Sequence, residues 1–277
     1  MPREGTQPVT GSSQTHVVMF SSGAASAVAA KRVAEKYGTA DLVLLFADVN
    51  GEHGDNYRFL QEAAQWIGGR LVVLDNDGRT IWQVFAEARF LGNSRVDPCS
   101  RVLKREPTRR WLEQNCEVDR TTIYLGFDWT EEHRHVRATD HWKPWQVESP
   151  LLWEPQLDKR EVLDCLVNEE ILPPFLTRLG FPHANCGGGC VKAGIAHFKR
   201  LLSVAPDTFA WWEWNEERVR RQLQRDVSIL VTRRDGETRP LTLRALRVAV
   251  ESNATLFSNE DWGGCGCFTP TAESDDT

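Results

Sequence analysis

Short apolar runs alternate with helix-like patterns through the first half of the chain. In the helix-like stretches apolar residues recur every three or four positions, as Phe59, Leu60 and Ala63 do. The apolar runs predict strands at 16–21, 41–48, 70–75 and 121–126. The helix-like patterns predict helices at 26–37, 56–67, 81–91 and 101–114.

Strands that are apolar throughout and separated by helices are typical of a parallel sheet with helices on both faces. We therefore predict an α/β fold for this half of the chain. In such sheets ligands bind at the carboxyl ends of the strands, where the connecting loops begin. This rule directs the search for a site to the loops at 21–26, 48–52, 75–77 and 126–134.

Beyond residue 140 the alternation fades, and prolines interrupt a mostly helical pattern. The segment 227–232 fits either a strand or the end of a helix. The expected organisation is a disordered N-terminus at 1–15, a ligand-binding α/β domain at 16–145, a helical region at 146–268 and an acidic tail at 269–277.

The composition is that of a folded chain without membrane segments. The 277 residues include 33 Lys and Arg against 39 Asp and Glu, a net charge of −6. No apolar run approaches the ~20 residues that cross a bilayer, and the polar N-terminus does not resemble a signal peptide. We therefore expect a cytoplasmic protein. Seven cysteines are an odd number, so intramolecular disulfides cannot include them all.

A run of small residues joins the first predicted strand to the first predicted helix, and it contains Ser21, Ser22, Gly23 and Ser26. Small side chains let backbone N–H groups approach an anion closely, and the helix start adds N–H groups and the positive end of its dipole. The loop is therefore a candidate phosphate site. The alternative is a tight turn in which the serines only cap the helix.

Four segments, in chain order, resemble the phosphoadenosine phosphosulfate (PAPS) reductase family of the PP-loop ATP pyrophosphatase superfamily. They are the serine-rich loop, the segments 48–52 and 98–104, and the stretch 126–134. The resemblance implies a Rossmann-like PP-loop domain, of the adenine nucleotide alpha hydrolase-like type, with a mostly helical, cysteine-bearing C-terminal region. It also implies that the bound small molecule is an adenine nucleotide, ATP or PAPS.

The resemblance also implies roles for individual residues. The nucleotide-binding residues would be Ser21, Ser22, Gly23, Ser26, Asp48, Glu52 and Gly126. Of these, Asp48 and Glu52 have the oxygen ligands that suit a Mg²⁺ ion on a triphosphate, and a ribose contact is an equally good use of Asp48. Lys104 and Arg134 would be catalytic cations that neutralise a phosphate or sulfate.

Two departures from the family pattern concern the reaction. Ala25 stands where the superfamily loop has an acid, which weighs against cleavage of ATP. The C-terminal Glu-Cys-Gly-x-His segment that carries the nucleophile of the reductases is absent from the sequence. This second departure weighs against the reductase reaction.

Two cysteine pairs lie among glycines. Cys186 and Cys190 are in Asn-Cys-Gly-Gly-Gly-Cys, and Cys265 and Cys267 are in Gly-Gly-Cys-Gly-Cys. Tight turns let paired thiolates converge on one metal centre, so we predict a shared four-cysteine site. A 4Fe–4S cluster is favoured over Zn²⁺, because Cys-x-Cys is unusual in structural zinc sites. The alternative is two flexible turns with free thiols.

Cys99 lies in a Pro-Cys-Ser turn ahead of a basic segment. A thiol near a helix N-terminus and among cations has a lowered pKa, so Cys99 is the candidate for a catalytic nucleophile or persulfide carrier. The alternative is a half-buried bystander. The remaining two cysteines, Cys116 and Cys165, lie in helical patterns and are interpreted as core residues.

Arginines concentrate in the C-terminal third, near the aromatic segment 209–214. Such a combination can bind single-stranded nucleic acid, but interleaved Asp and Glu residues favour a salt-bridged helical surface. Nucleic acid is therefore the less favoured partner, behind a sulfur-donor protein or a reductant. His133, His135 and His141 are interpreted as part of an exposed polar loop.

These observations favour an enzyme that binds an adenine nucleotide and carries out sulfur-transfer or adenylating chemistry supported by a 4Fe–4S cluster. In the adenylating reaction a carbonyl oxygen of the acceptor attacks the α-phosphorus and pyrophosphate leaves. Two other functions stay open: a sulfonucleotide reductase, and a non-catalytic nucleotide or nucleic-acid binding module with a structural zinc.

Overall fold

The computed structural model describes residues 14–93, 95–234, 237–252, 262–263 and 268–269. Its central element is a five-stranded sheet in the order β3-β2-β1-β4-β5, in which every neighbouring pair is parallel. The strands are β1 Thr15–Met19, β2 Leu42–Ala47, β3 Arg70–Leu74, β4 Thr121–Tyr124 and β5 Gln146–Glu148. The prediction of an α/β fold with a parallel sheet is confirmed.

The strand side chains alternate between two cores. Val18 and Leu44 face helices on one side of the sheet, whereas Val17, Val43 and Ile123 face helices on the other. β1 is the middle strand, and Val17 lies opposite Val43 of β2 and Ile123 of β4. Successive strand residues point to opposite faces, so a strand that is apolar throughout is buried on both.

The helices of the sheet region are α1 Ala24–Tyr37, α2 Gly54–Ile67, α3 Ile81–Ala88, α4 Pro98–Ser100, α5 Glu106–Asn115, α6 Glu132–His141 and α7 Lys159–Asn168. A π-helical segment, Arg101–Arg105, joins α4 to α5, so the predicted helix at 101–114 is not a regular α-helix. Pro107 has no N–H to donate to the Leu103 carbonyl. That carbonyl accepts from the Asn76 side-chain amide instead, at 2.9 Å.

A third core lies beyond the sheet, in the C-terminal region. Its elements are α8 Phe175–Arg178, α9 Ile195–Val204, α10 Pro206–Leu223, β6 Leu230–Arg234, β7 Glu237–Leu241 and α11 Leu243–Glu251. Together with α3 they bury Trp82, Phe198 and Trp212 in one cluster. The segment 227–232 therefore leads into a strand, β6, which pairs with β7 in an antiparallel hairpin. None of the helices within the described ranges is long and apolar enough to cross a membrane.

Two local features differ from the sequence-based expectation. β5 pairs with β4 at the edge of the sheet, although its residues fall in the region interpreted as helical. Only Val147 of this short strand is buried, so no apolar run marks it in the sequence. His133, His135 and His141 lie in helix α6 and not in a loop, because the buried Ala138 packs this segment as a helix against the sheet.

Candidate functional site

The sheet has its topological switch point between β1 and β4. From β1 the strand order runs to β2 and β3 on one side and to β4 and β5 on the other. The connections that leave β1 and β4 therefore diverge, and a crevice opens between them at the carboxyl edge of the sheet. Ser21 and Gly126, from these two connections, line a cavity of about 470 Å³, a size typical of small-ligand sites.

The serine-rich loop after β1 presents backbone donors at this cavity. Ser21, Ala24, Ala25 and Ser26 all line it. Gly23 is the N-cap of α1 and has no side chain to satisfy the first turn. The N–H groups at 24–26 have no acceptor within the described part of the chain. An anion in the cavity could accept from these groups at the positive end of the helix dipole.

The serine hydroxyls stabilise the loop itself. Ser26 Oγ donates to the Gly23 carbonyl at 2.9 Å and accepts from the backbone N–H of Ser21 at 3.2 Å. Ser22 is fully buried with a φ of 54°, and its hydroxyl has no partner among the described residues. Of the two uses that the sequence left open for the serines, the helix cap is not observed, because no described side chain accepts from the first turn of α1; the phosphate site stays a prediction.

Gly126 is required by the close approach of two backbone segments. A Cβ atom at this position would lie 2.8 Å from both the carbonyl carbon of Ala25 and the nitrogen of Ser26. A larger residue would therefore push the β4 loop away from the serine-rich loop. Gly126, predicted as a nucleotide-binding residue, lies in the cavity wall and lets the two loops meet.

The segment after β4 brings charged groups to the cavity. Arg134, one of the predicted cations, stacks over Phe127 with 4.4 Å between the guanidinium carbon and the ring centroid, and it is ion-paired with Glu131. Asp128 is buried and accepts from the backbone N–H of Thr130 at 2.8 Å. All three charged residues line the cavity: Asp128, Glu131 and Arg134. Neither carboxylate is assigned a role from the sequence, although both lie in the segment 126–134 that carries the resemblance.

His183 is a further cavity-lining residue that the sequence analysis missed. Both of its ring nitrogens are buried and have no hydrogen-bond partner in the described ranges. Burial lowers the pKa of His183 to about 3, with smaller contributions from His197 and from nearby cations. Those cations are Lys104, Arg134 and Lys159. The imidazole is therefore neutral at pH 7 and offers one donor and one acceptor to a bound molecule.

His197 supports His183 from within the third core. The two rings stack with their centroids 5.2 Å apart, and His197 is fully buried. His197 Nε2 lies 2.7 Å from the Gly188 carbonyl oxygen. Because a carbonyl only accepts, this nitrogen carries the proton. His197 thus connects the wall of the cavity to the turn that contains the first cysteine pair.

Asp48 and Glu52 are not among the residues that line the cavity. Asp48 Oδ1 accepts from the Tyr57 hydroxyl at 2.9 Å, and the Glu52 side chain is fully enclosed. These two carboxylates therefore do not fit a Mg²⁺ ion bound in the cavity. Among the described residues, the carboxylates that do line it are those of Asp128 and Glu131.

Glu52 is instead a partner of the first cysteine turn. Its carboxylate interacts with the backbone N–H groups of Cys186 and Gly187, and the Lys104 ammonium lies 3.7 Å from it. Burial raises the pKa of Glu52, and Lys104 and the two N–H groups oppose that shift. Lys104, predicted as a catalytic cation, is likewise buried and is not among the cavity-lining residues.

Cys186 and Cys190 form a tight, buried turn. Their thiols are hydrogen-bonded to each other, and this contact together with burial raises the pKa of Cys186 well above its usual value. Cys186, Gly187 and Gly188 have φ angles of 56°, 64° and 93°, and a residue with a side chain adopts such a conformation at a cost. A Cβ on Gly187 would lie 2.8 Å from the Gly51 carbonyl oxygen. The turn is thus strained, and it brings two sulfur atoms to one point.

These two thiols are half of the predicted ligand set. Cys265 and Cys267 lie outside the described residues, but Gly263 and Phe268 on either side of them are described. Gly263 forms a backbone bridge with Ala193, and both Gly263 and Phe268 line the cavity. Within the part of the chain that the structure describes, no three His, Cys, Asp or Glu side chains are grouped as metal ligands.

Cys99 is buried in the same core as the first cysteine pair and is not among the cavity-lining residues. A buried charged cluster includes Asp97, two positions before Cys99 in the chain. Asp97 lies 3.7 Å from the Arg105 guanidinium and 3.9 Å from the Lys192 ammonium, and all three side chains are buried. The role of Cys99 as a nucleophile stays a prediction.

Comparison with known proteins gives a distant likeness to solved structures. No family model matches the chain, and no curated protein matches it. Among solved structures, the chain is similar to the crystal structure of phosphoadenylyl-sulfate (PAPS) reductase from Candida auris in a phosphate complex, with 14% sequence identity and a TM-score of 0.43. The match covers 62% of this chain and 80% of that chain. At this distance, function has to be inferred from the residues of the site.

Proposed function

We propose that the cavity between the β1 and β4 connections binds an adenine nucleotide, ATP or PAPS, with a phosphate at the start of α1. The observation that carries the proposal is the set of backbone N–H groups at 24–26, which have no acceptor in the described ranges and belong to residues that line the cavity. Their position at the switch point of a parallel sheet is where such folds bind ligands. The likeness of the loop and of three further segments to the PP-loop superfamily supports an adenine nucleotide as the ligand.

In this proposal the chain stabilises negative charge on the phosphates. The N–H groups at the start of α1 donate to phosphate oxygens, and Arg134 adds a charge-assisted hydrogen bond. His183 donates to, or accepts from, a polar group of the nucleotide. In the adenylating reaction the acceptor oxygen forms a bond to the α-phosphorus as the bond to the leaving pyrophosphate breaks. Charge builds on the phosphate oxygens during that displacement, so donors that are already in position lower its barrier.

We further propose that one 4Fe–4S cluster, with Zn²⁺ as the alternative, is held by Cys186, Cys190, Cys265 and Cys267. The described pair supports this, because its thiols are hydrogen-bonded to each other in a buried turn. Lys104 opposes the rise in the pKa of Cys186 and so favours the thiolate that a metal needs. Gly263 and Phe268, at the two ends of the segment with the other pair, line the nucleotide cavity. When bound, such a cluster supplies electron transfer or a point of sulfur attachment.

The nucleotide proposal is tested by calorimetric titration of the full chain with ATP, AMP and PAPS. We expect heat of binding with at least one of them, and no heat with any of them overturns the proposal. The reaction products then distinguish the three possible functions from one another. Pyrophosphate released from ATP with an acceptor supports adenylation, sulfite released from PAPS with a thiol supports reduction, and binding without either supports the non-catalytic module.

The cluster proposal is tested by anaerobic purification followed by absorbance and metal analysis. A 4Fe–4S protein absorbs broadly at about 400 nm and contains iron and sulfide, whereas a colourless protein with bound zinc supports the alternative. Cys186→Ser should lose the metal. Cys165→Ser is the matched control, because Cys165 is only partly buried in α7 and was not predicted as a ligand. Cys116, which follows α5, is also partly buried and was not predicted as a ligand. Protein that binds neither metal overturns the proposal.

A further inference from the structure

Beyond its first turn, which contains the exposed Asp207, α10 has tryptophans and arginines but no acid among its exposed residues. Beyond Asp207 in the first turn, the exposed residues of this helix are Ala210, Trp211, Trp214, Arg218, Arg221 and Gln222. Trp211, Trp214, Arg218 and Arg221 are spaced by three or four positions and so form one stripe along the helix, which we call the Trp–Arg stripe. Its two indoles are 44% and 56% exposed, an unusual state for so large an apolar side chain.

The glutamates that interleave with the stripe in the sequence are engaged with groups outside the stripe. Glu213 receives the Arg247 guanidinium of α11 at 2.7 Å. Glu216 is fully buried and accepts backbone N–H groups from the hairpin and from α11. Glu217 lies 3.6 Å from Arg220. The salt-bridged surface that the sequence predicts is therefore present, but it does not include the stripe.

The two arginines of the stripe contact groups of their own helix. Arg218 stacks over Trp214 with 5.1 Å between the guanidinium carbon and the ring centroid, and Arg221 Nε donates to the Glu217 carbonyl oxygen at 3.3 Å. Neither forms an ion pair with a described residue. The chain as a whole has a net charge of −6, so this local positive surface is not a consequence of overall composition.

The positive, aromatic surface continues past the end of α10. Arg225 lines a groove of about 310 Å³ together with Arg89 and Phe90, which follow α3. Phe90 is 37% exposed. The groove also contains one acid, Asp226, whose carboxylate is 3.0 Å from the Arg220 guanidinium.

We propose that the Trp–Arg stripe and this groove bind single-stranded nucleic acid. Bases stack on Trp211 and Trp214, and the phosphates lie against the arginines. A duplex is disfavoured because its bases are already stacked on one another and present no face to an indole. Trp and Arg also occur at protein interfaces, so a protein that binds in place of the single strand is the outcome that would contradict this proposal. The stripe shares no residue with the nucleotide cavity, so the inference does not depend on the function proposed for that cavity.

The test measures fluorescence anisotropy of labelled single-stranded DNA and RNA of mixed sequence, and of the matched duplex, with the full chain. We expect the single strands to bind more tightly than the duplex. Three arginines on phosphates predict that log K falls with log salt with a slope of about −2. No binding of any single strand, or tighter binding of the duplex, overturns the proposal.

Variants at exposed positions distinguish binding by the stripe from nonspecific attraction to positive charge. Trp214→Ala should weaken single-strand binding by about 5- to 100-fold, the range for loss of one stacking platform. Replacing Arg218, Arg221 and Arg225 together by Ala should flatten the salt dependence. The matched controls are Arg239→Ala, an exposed arginine paired with Glu237, and Trp129→Ala, which is 53% exposed elsewhere. Equal affinities for the Trp214→Ala and Trp129→Ala proteins overturn the proposal, and unchanged unfolding midpoints show that all variants are folded.

Discussion

The serine-rich loop and the first cysteine turn are both short turns that contain glycine, yet different contacts stabilise them. In the loop, the hydrogen bonds connect residues three to five positions apart, from Ser26 to Gly23 and to Ser21. The cysteine turn instead depends on residues that lie nine or more positions away in the chain. Gly187 contacts the carbonyl of Gly51, and the remaining contacts come from Glu52, Leu176, His197 and Trp212.

This difference separates two kinds of site. A loop that forms from its own residues between a strand and a helix can be altered with little effect on the rest of the fold. A turn that forms only when four distant segments meet is part of the core, so altering it changes stability as well as chemistry. We therefore expect substitutions in the loop to act mainly on ligand binding and substitutions in the turn to act mainly on folding.

The largest expected effect is at Gly189, in the cysteine turn. A Cβ at this position would lie 2.2 Å from Cε2 of Trp212, whose ring is fully buried. Gly189→Ala should lower the free energy of unfolding by about 3 kcal/mol, the upper end of the usual cost of overpacking. Urea denaturation measures the change. The control is Gly54→Ala at the start of α2, where a Cβ meets nothing within 4 Å; equal midpoints for the two variants would show that the turn is not part of the core.

The second largest effect concerns pH and Glu216, another long-range contact of the C-terminal region. The buried carboxylate accepts from the backbone N–H groups of Ile229 and Leu243 at 2.9 and 2.6 Å. Burial raises its pKa from 4.5 to about 7, although these N–H groups and Arg220 oppose the shift. A raised pKa means that the folded state binds the proton more tightly than the unfolded state does. The contribution to stability is therefore complete below pH 4.5 and is lost as the pH rises through 7.

The size of this contribution is about 3 kcal/mol, from the shift in pKa. The measurement is the free energy of unfolding at about pH 5 and pH 8, for the wild type and for Glu216→Gln, which cannot titrate. We expect the variant to lack this part of the pH dependence. The serine-rich loop contains no titratable side chain, so this pH dependence sharpens the contrast between the two regions. An identical slope for both proteins would rule out Glu216 as its source.

A smaller effect on stability, but a clear one on binding, is expected at Gly126. Gly126→Ala would force a Cβ against the backbone of Ala25 and Ser26. Because the displaced groups are the proposed phosphate donors, affinity for the nucleotide should fall about 10-fold or more, with about 1–2 kcal/mol lost in stability. Calorimetric titration and urea denaturation measure the two changes. A protein that loses the stability but keeps the affinity would break the assignment of the loop to ligand binding.

The smallest effect is expected at His183, which comes from the C-terminal region but lines the same cavity. His183→Ala removes one protein group that would hydrogen-bond to the nucleotide. Affinity for the nucleotide should therefore fall about 5- to 10-fold, as for one net hydrogen bond. The matched control is His133→Ala, because His133 is exposed on α6 and does not line the cavity. Unchanged affinity in the His183 variant would confine the site to the β1 and β4 connections.

The sequence predicts the fold better than it predicts the side chains of the site. Four strands follow from their apolar runs, whereas the edge strand β5 has one buried residue and no such run. Among the predicted site residues, Ser21, Ser26, Gly126 and Arg134 line the cavity. The side chains of Asp48, Glu52, Cys99 and Lys104 do not. The rule for parallel sheets identifies which loops meet at one edge, but it does not say which side chains turn inwards.

His183 illustrates what pattern analysis misses. It lies in the region beyond residue 140, where the hydrophobic periodicity is weak. Its only local signal is that it stands three residues before the first cysteine of the turn. Its buried, unpartnered nitrogens and its stacking on His197 exist only in the folded chain. The same holds for α10, whose glutamates are interleaved with its arginines in the sequence but are engaged with groups outside the exposed stripe.

By itself, the sequence determined four of the five strands of the sheet, most of the helices between them and the serine-rich loop, because these depend on residues a few positions apart. Only the tertiary structure decided the surroundings of Cys186, the position of His183 and the exposed stripe of α10. The reason is physical: burial and ion pairing depend on segments that are distant in the chain, and a local pattern contains no information about which of them will meet.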